Sequence, residues 1–175
     1  MRNLLVLLSL LMFLSCTDKK TEKIKQRSHP SHVYTYSAID TAKLNYFESD
    51  YVPVYSDIYF QDGTRRFHLT STISLRNTSL QDSAYILSAK YYDSHGQTLK
   101  EYVDSTLLLL PLESIEFVVE DFELAGGVGA NFIINWGAVN YSNQLLIQSI
   151  MIGTYGQQGV SFLSESKVIE RNYRE

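Results

Sequence analysis

Three glycines within seven residues, Gly153, Gly156 and Gly159, enclose Thr154, Tyr155, Gln157 and Gln158. These side chains suit non-covalent recognition. A tyrosine offers a flat apolar face with a polar tip, and each glutamine amide offers both donor and acceptor. The glycines open backbone paths that other residues resist. With Ile150, Ile152, Val160 and Phe162 expected to anchor the flanking strands in the core, the loop is a candidate surface for a sugar or an extended peptide. The competing reading is that the amides hydrogen-bond within the domain itself, as native loops satisfy their polar groups.

Residues suited to catalysis are sparse. The sequence has no Gly-x-Ser-x-Gly elbow to present a serine. His29 and His32 have metal-pair spacing, but no further ligand lies close in sequence. His68 falls on the polar side of an expected strand and His95 in an expected turn. The acids Glu113, Glu116, Glu120, Asp121 and Glu123 suggest sugar hydrolysis by paired carboxylates. They interleave with Ile115, Phe117 and Val119, which equally describes the solvated face of a strand. The glycine-rich stretch 126–129 exposes amides as a phosphate cradle does. It lacks the following helix and the lysine such a cradle uses, so a turn is expected there. No catalytic residue, metal ligand or cofactor is expected.

Cys16 is the only cysteine, which excludes a disulfide within the chain. It follows Arg2 and an apolar run over residues 4–14, too short to span a bilayer and of the length of a signal-peptide core. Ser15 and Cys16 in that setting resemble the lipobox of bacterial lipoproteins, in which the cysteine is diacylated and becomes the new N-terminus. The resemblance implies a signal peptide over 1–15, a lipid on Cys16 and a place in the bacterial cell envelope, attached to the membrane by that lipid. Two or three acyl chains make such an anchor stable. The simpler alternative is a secretory signal followed by an incidental cysteine. Thr17 stands where an aspartate would signal inner-membrane retention, which favours the outer membrane.

Residues 17–37 carry Lys19, Lys20, Lys23, Lys25 and Arg27 against Asp18 and Glu22, with no apolar periodicity. A lipidated cysteine and basic tether over 16–37 are expected, with a flexible reach of roughly 25 Å. Residues 38–175 hold nine Lys and Arg against seventeen Asp and Glu, a net charge of −8. Anionic headgroups attract the first region and repel the second. Nucleic acid is excluded as a general partner, because neutralising phosphates needs clustered cations.

Thirteen Tyr and eight Phe in 175 residues point to pleated, half-buried surfaces. Phe67, Leu69, Ile73 and Leu75 alternate with polar residues, and Phe132, Ile134 and Trp136 mark another strand. Pro111 divides 106–120 into two segments; the four leucines before it read as strand, with a short helix as the alternative. Eight or nine strands without crossover helices predict one all-β domain over 38–175, an antiparallel β-sandwich of immunoglobulin-like type.

Several phrases carry a family resemblance. They are Tyr-Val-Pro-Val-Tyr-Ser-Asp-Ile-Tyr at 51–59, Leu-Arg-Asn-Thr-Ser at 75–79, Tyr-Tyr-Asp at 91–93, Gly-Gly-Val-Gly-Ala-Asn-Phe at 126–132, and Met-Ile-Gly-Thr-Tyr-Gly-Gln-Gln-Gly-Val-Ser-Phe at 151–162. Together they resemble an uncharacterised bacterial family, domain of unknown function 3124, which implies an envelope location and no activity. The expectation is a lipid-anchored, non-enzymatic binding module for an envelope protein or glycan. The alternatives are a glycan-processing accessory hydrolase built on the acidic run and a purely structural lipoprotein.

Overall fold

The computed structural model describes residues 34–174 except Ser142. Cys16, the apolar run before it and the expected tether as far as residue 33 lie outside the described residues. The described chain forms β1 (Tyr46–Pro53), β2 (Asp57–Phe60), β3 (Asp62–His68), β4 (Thr70–Asn77), β5 (Ala84–Tyr92), β6 (Thr98–Val103), β7 (Leu107–Leu109), β8 (Ser114–Val119), β9 (Asn131–Ala138), β10 (Leu145–Tyr155), β11 (Gln158–Glu165) and β12 (Lys167–Tyr173).

One sheet runs β12-β1-β9-β5-β6, with β7 also paired to β5; a second runs β11-β10-β4-β8; β2 and β3 form a hairpin. Every strand pair is antiparallel. Both main sheets turn apolar faces into one core, which makes the fold an antiparallel β-sandwich. Alternation does this: on β9, Phe132, Ile134 and Trp136 are buried while Asn131, Ile133 and Asn135 are only half-buried.

Phe132 ties the layers together. Its ring stacks on Tyr91 at 5.0 Å, meets Tyr102 at 5.1 Å and lies parallel to Phe117 of the opposite sheet at 6.4 Å. These aromatic contacts bind the two sheets where many sandwiches carry a disulfide. Asn77, within the 75–79 phrase, anchors the far end by donating its amide to the carbonyls of Asp82, Leu109 and Leu110.

Pro111 sits between β7 and β8, and the leucines before it form strand. Residues 34–37, at the end of the segment read as tether, lie along β7: Leu108 N donates to Thr35 O at 2.7 Å and Ser37 N to Thr106 O at 2.9 Å. Among the described residues the strand count rises from the expected eight or nine to twelve, the additions being β1, β12 and the β2–β3 hairpin, whose second strand was read as continuous with β4.

The phase of β10 also differs from expectation. Ile147, Ser149, Met151 and Gly153 face inward; Ile150 is half-buried and Ile152 is 51% exposed. A run apolar on both faces does not reveal its phase. Pairing of Met151 with buried Ser71 and of Ile152 with Thr70 sets it.

Candidate functional site

Beyond the Ile152–Thr70 pair, β10 continues to Tyr155 with β11 as its ladder partner, so this hairpin projects past the body of its sheet. Tyr155 pairs with Gln158, leaving Gly156 and Gln157 as a two-residue turn. Gly156 has φ of +62°, while Gln157 does not have positive φ. Glycine at the first central position is the type II′ arrangement, which matches the twist of the flanking strands.

The β2–β3 hairpin packs against this one. Phe67 lies over Gly153: a Cβ there would stand 2.2 Å from the Phe67 ring and 2.6 Å from the His68 carbonyl oxygen. Gly153 is therefore glycine for close approach. Phe60, Phe67 and Tyr155 form an aromatic triad with centroids 5.8–6.4 Å apart. Arg66 braces the hairpin, donating to buried Asp57 at 2.6 Å and to the Tyr59 hydroxyl at 3.1 Å, with its guanidinium 4.6 Å from the Tyr59 ring centroid.

Two clefts flank Tyr155. One, of about 540 Å³, lies among His68, Thr70, Asp121, Ile152 and Thr154. The other, of about 380 Å³, lies among Ile58, Phe60, Gln61, Gln158 and Val160. Phe67 and Tyr155 line both. The Tyr155 side chain is 69% exposed.

The structure thus brings the sequence-derived residues to one end of the sandwich. Thr154 lines the first cleft, Gln158 the second, Tyr155 both, and Gln157 occupies the turn. Both glutamines are exposed, and neither amide hydrogen-bonds another described residue. Sequence reasoning missed Phe60, Phe67 and the Arg66–Asp57 brace. The signal was partial: Ile58, Tyr59 and Phe60 read as an aromatic strand before Asp62 and Gly63, but the chain turns one residue earlier, at Gln61 with φ of +63°, and Asp62 and Gly63 already belong to β3.

The glycine-rich stretch and two of the acids have structural engagements, while His68 and Asp121 line the first cleft. Where a simple turn was expected, Leu124–Gly129 forms short 3-10 helix kinked at Gly127, whose φ is +73°; Gly126 and Gly127 carbonyls accept from Ser94 and Ser56, and Gly129 N donates to Ser94 Oγ at 2.9 Å, which holds the stretch to its neighbours. In the acidic run, Glu113 accepts from Leu110 N at 2.7 Å and Glu123 pairs with Lys100 at 3.5 Å. Ile115, Phe117 and Val119 are buried between these acids.

A second polar cluster is interior. Asp50, 2% exposed, accepts from Trp136 Nε1 at 3.0 Å and Ser166 Oγ at 2.8 Å. Burial pushes its carboxyl above the ordinary range, against the lowering effect of those two donors. Glu48 accepts from Tyr46 and from Arg171, the latter at 2.6 and 2.7 Å. Burial, then the bond to Glu48, pushes the Tyr46 phenol up. The cluster locks edge strand β12 and the β11–β12 junction onto β1.

Residues 47–169 match the model of a family described as a protein of unknown function, DUF3124. The chain belongs to that family. The phrases at 51–59, 75–79, 91–93, 126–132 and 151–162 all fall within the matched span, so the β10–β11 hairpin is part of the family's region. No curated protein matches the chain. Among solved structures it is similar to Thermotoga maritima 1070, with 7% identity over 69% of this chain and 92% of that one, at a TM-score of 0.41. So distant a likeness carries nothing further about fold or function.

Proposed function

We propose that this chain is a lipid-anchored protein of the bacterial cell envelope, held by Cys16 in the outer membrane, whose sandwich carries a non-enzymatic binding module for a protein or glycan. The observation that carries the reading is Tyr155, an exposed ring between two clefts with unengaged glutamine amides beside it. Exposed loops held by a rigid scaffold are where binding residues concentrate. The sole cysteine, set directly behind the apolar run, supports the anchor. The net charge of −8 over residues 38–175 supports a partner other than nucleic acid. Binding is favoured over hydrolysis because Asp121 is the one carboxylate of the acidic run that lines either cleft, whereas glycosidic cleavage uses a carboxylate pair.

Metabolic labelling with a fatty acid tests the anchor. Wild-type protein takes up label and Cys16→Ser does not; a labelled serine variant would sink the anchor. The binding role is tested by replacing Glu116 and Glu120 together with Gln: a pure binding module keeps every envelope phenotype. Loss of phenotype from a stably folded double variant would favour the hydrolase.

A further inference from the structure

The two clefts differ in chemistry. The first combines hydroxyls of Thr70 and Thr154 with the His68 ring and the Asp121 carboxylate; the second is walled by Ile58, Phe60 and Val160, with the Gln158 amide and that of Gln61, whose oxygen accepts from Arg65. Tyr155 stands on the boundary. Phe60 and Phe67 pack against its ring at 5.8 and 6.4 Å, which limits the rotamers it would lose on binding.

We propose that this end of the sandwich binds a neutral polysaccharide, with one sugar ring stacked on Tyr155 and its neighbours lying in the two clefts. The inference rests on the reading above that this end is the binding surface. A pyranose has an apolar face of C–H groups and a rim of hydroxyls that both donate and accept. An exposed aromatic ring, bordered by threonine hydroxyls and glutamine amides, complements both parts. Each cleft is of ordinary size for a small ligand, and they share the Tyr155 and Phe67 wall, an arrangement suited to consecutive units of a polymer.

Charge selects the neutral class. No lysine lines either cleft, and the one arginine, Arg66, is taken up by Asp57 and the Tyr59 hydroxyl. Asp121 faces the first cleft, and residues 38–175 are acidic as a whole. A polyanion would meet repulsion without a free lysine or arginine to offset it.

The test is native electrophoresis of the full-length protein through gels containing soluble β-glucan, α-glucan, xylan or galactomannan, with calorimetric titration of N-acetylglucosamine oligomers alongside. Wild type is retarded by, or binds, at least one of these. Tyr155→Ala weakens binding by about tenfold or more, while Tyr155→Trp, which keeps a stacking face, retains it. Tyr155→Trp keeps the wild-type melting temperature to within about 2 °C, and Tyr155→Ala, which forfeits the ring contacts to Phe60 and Phe67, stays folded with a melting temperature lower by several degrees. Absence of binding to every neutral glycan overturns the inference, as does undiminished binding by a folded Tyr155→Ala variant. Photocrosslinking from position 157 in cells separates the two levels. A protein adduct with no glycan binding overturns the glycan class and leaves the binding surface standing; neither result overturns both.

Discussion

Trp136 donates its indole N–H to a carboxylate oxygen of Asp50 at 3.0 Å, and both side chains are buried. Ser166 bonds the other oxygen, and Glu48 lies beside the pair on the same face of β1. Edge strand β12 is therefore held by polar groups inside the sandwich rather than by apolar contact alone.

Asp50→Asn should stabilise the domain at neutral pH. Burial raises the Asp50 carboxyl, so its favourable contribution is present below the unfolded-state value and is lost as pH rises through the folded one. An amide keeps the Trp136 bond and can donate to Ser166 and Glu48 without carrying charge. Thermal unfolding should show a melting temperature higher by a few degrees at pH 8, with the gain shrinking towards pH 4. A variant less stable than wild type at pH 8 would contradict this.

Gly153→Ala should cost about 1–3 kcal/mol, because the new Cβ meets the Phe67 ring and the His68 carbonyl oxygen, which is backbone. Gly159→Ala is the control, since its nearest neighbour would be 3.7 Å away. Urea unfolding compares the two. Equal stability of both variants would mean that the hairpins are not packed against each other as described.

The sandwich was legible because β4 and β8 alternate throughout and β9 does so from Asn131 to Trp136, while β5 keeps the pattern on either side of a break at Leu87 and Ser88, and Pro111 and the Asp93 turn mark strand ends. The phase of β10 was hidden, because Ile147, Ile150, Met151 and Ile152 are apolar on both faces. β12 was hidden for the opposite reason: every residue from Lys167 to Tyr173 is exposed, so no period-two pattern shows. The Gly-Gln loop stood out through its glycines. Its partner surface did not, since Phe60 and Phe67 reach Tyr155 across more than eighty residues of sequence.

Replacing Gln157 and Gln158 with Ala should leave the melting temperature within about 2 °C of wild type, because neither amide bonds another described residue. Had the amides capped the loop internally, about 1–3 kcal/mol would be lost per buried group left unpaired. Scanning fluorimetry decides between these outcomes.

The central claim is that the β10–β11 end is the functional surface, and the most direct measurement is photocrosslinking in living cells from position 157, compared with position 112. Leu112 is also exposed, and its amide bonds Ser79 O beyond the end of β4 farthest from the clefts. The account predicts a discrete adduct from position 157 that is lost with Tyr155→Ala, and no such adduct from position 112. Adducts from 112 alone, or from 157 undiminished by Tyr155→Ala, would contradict it.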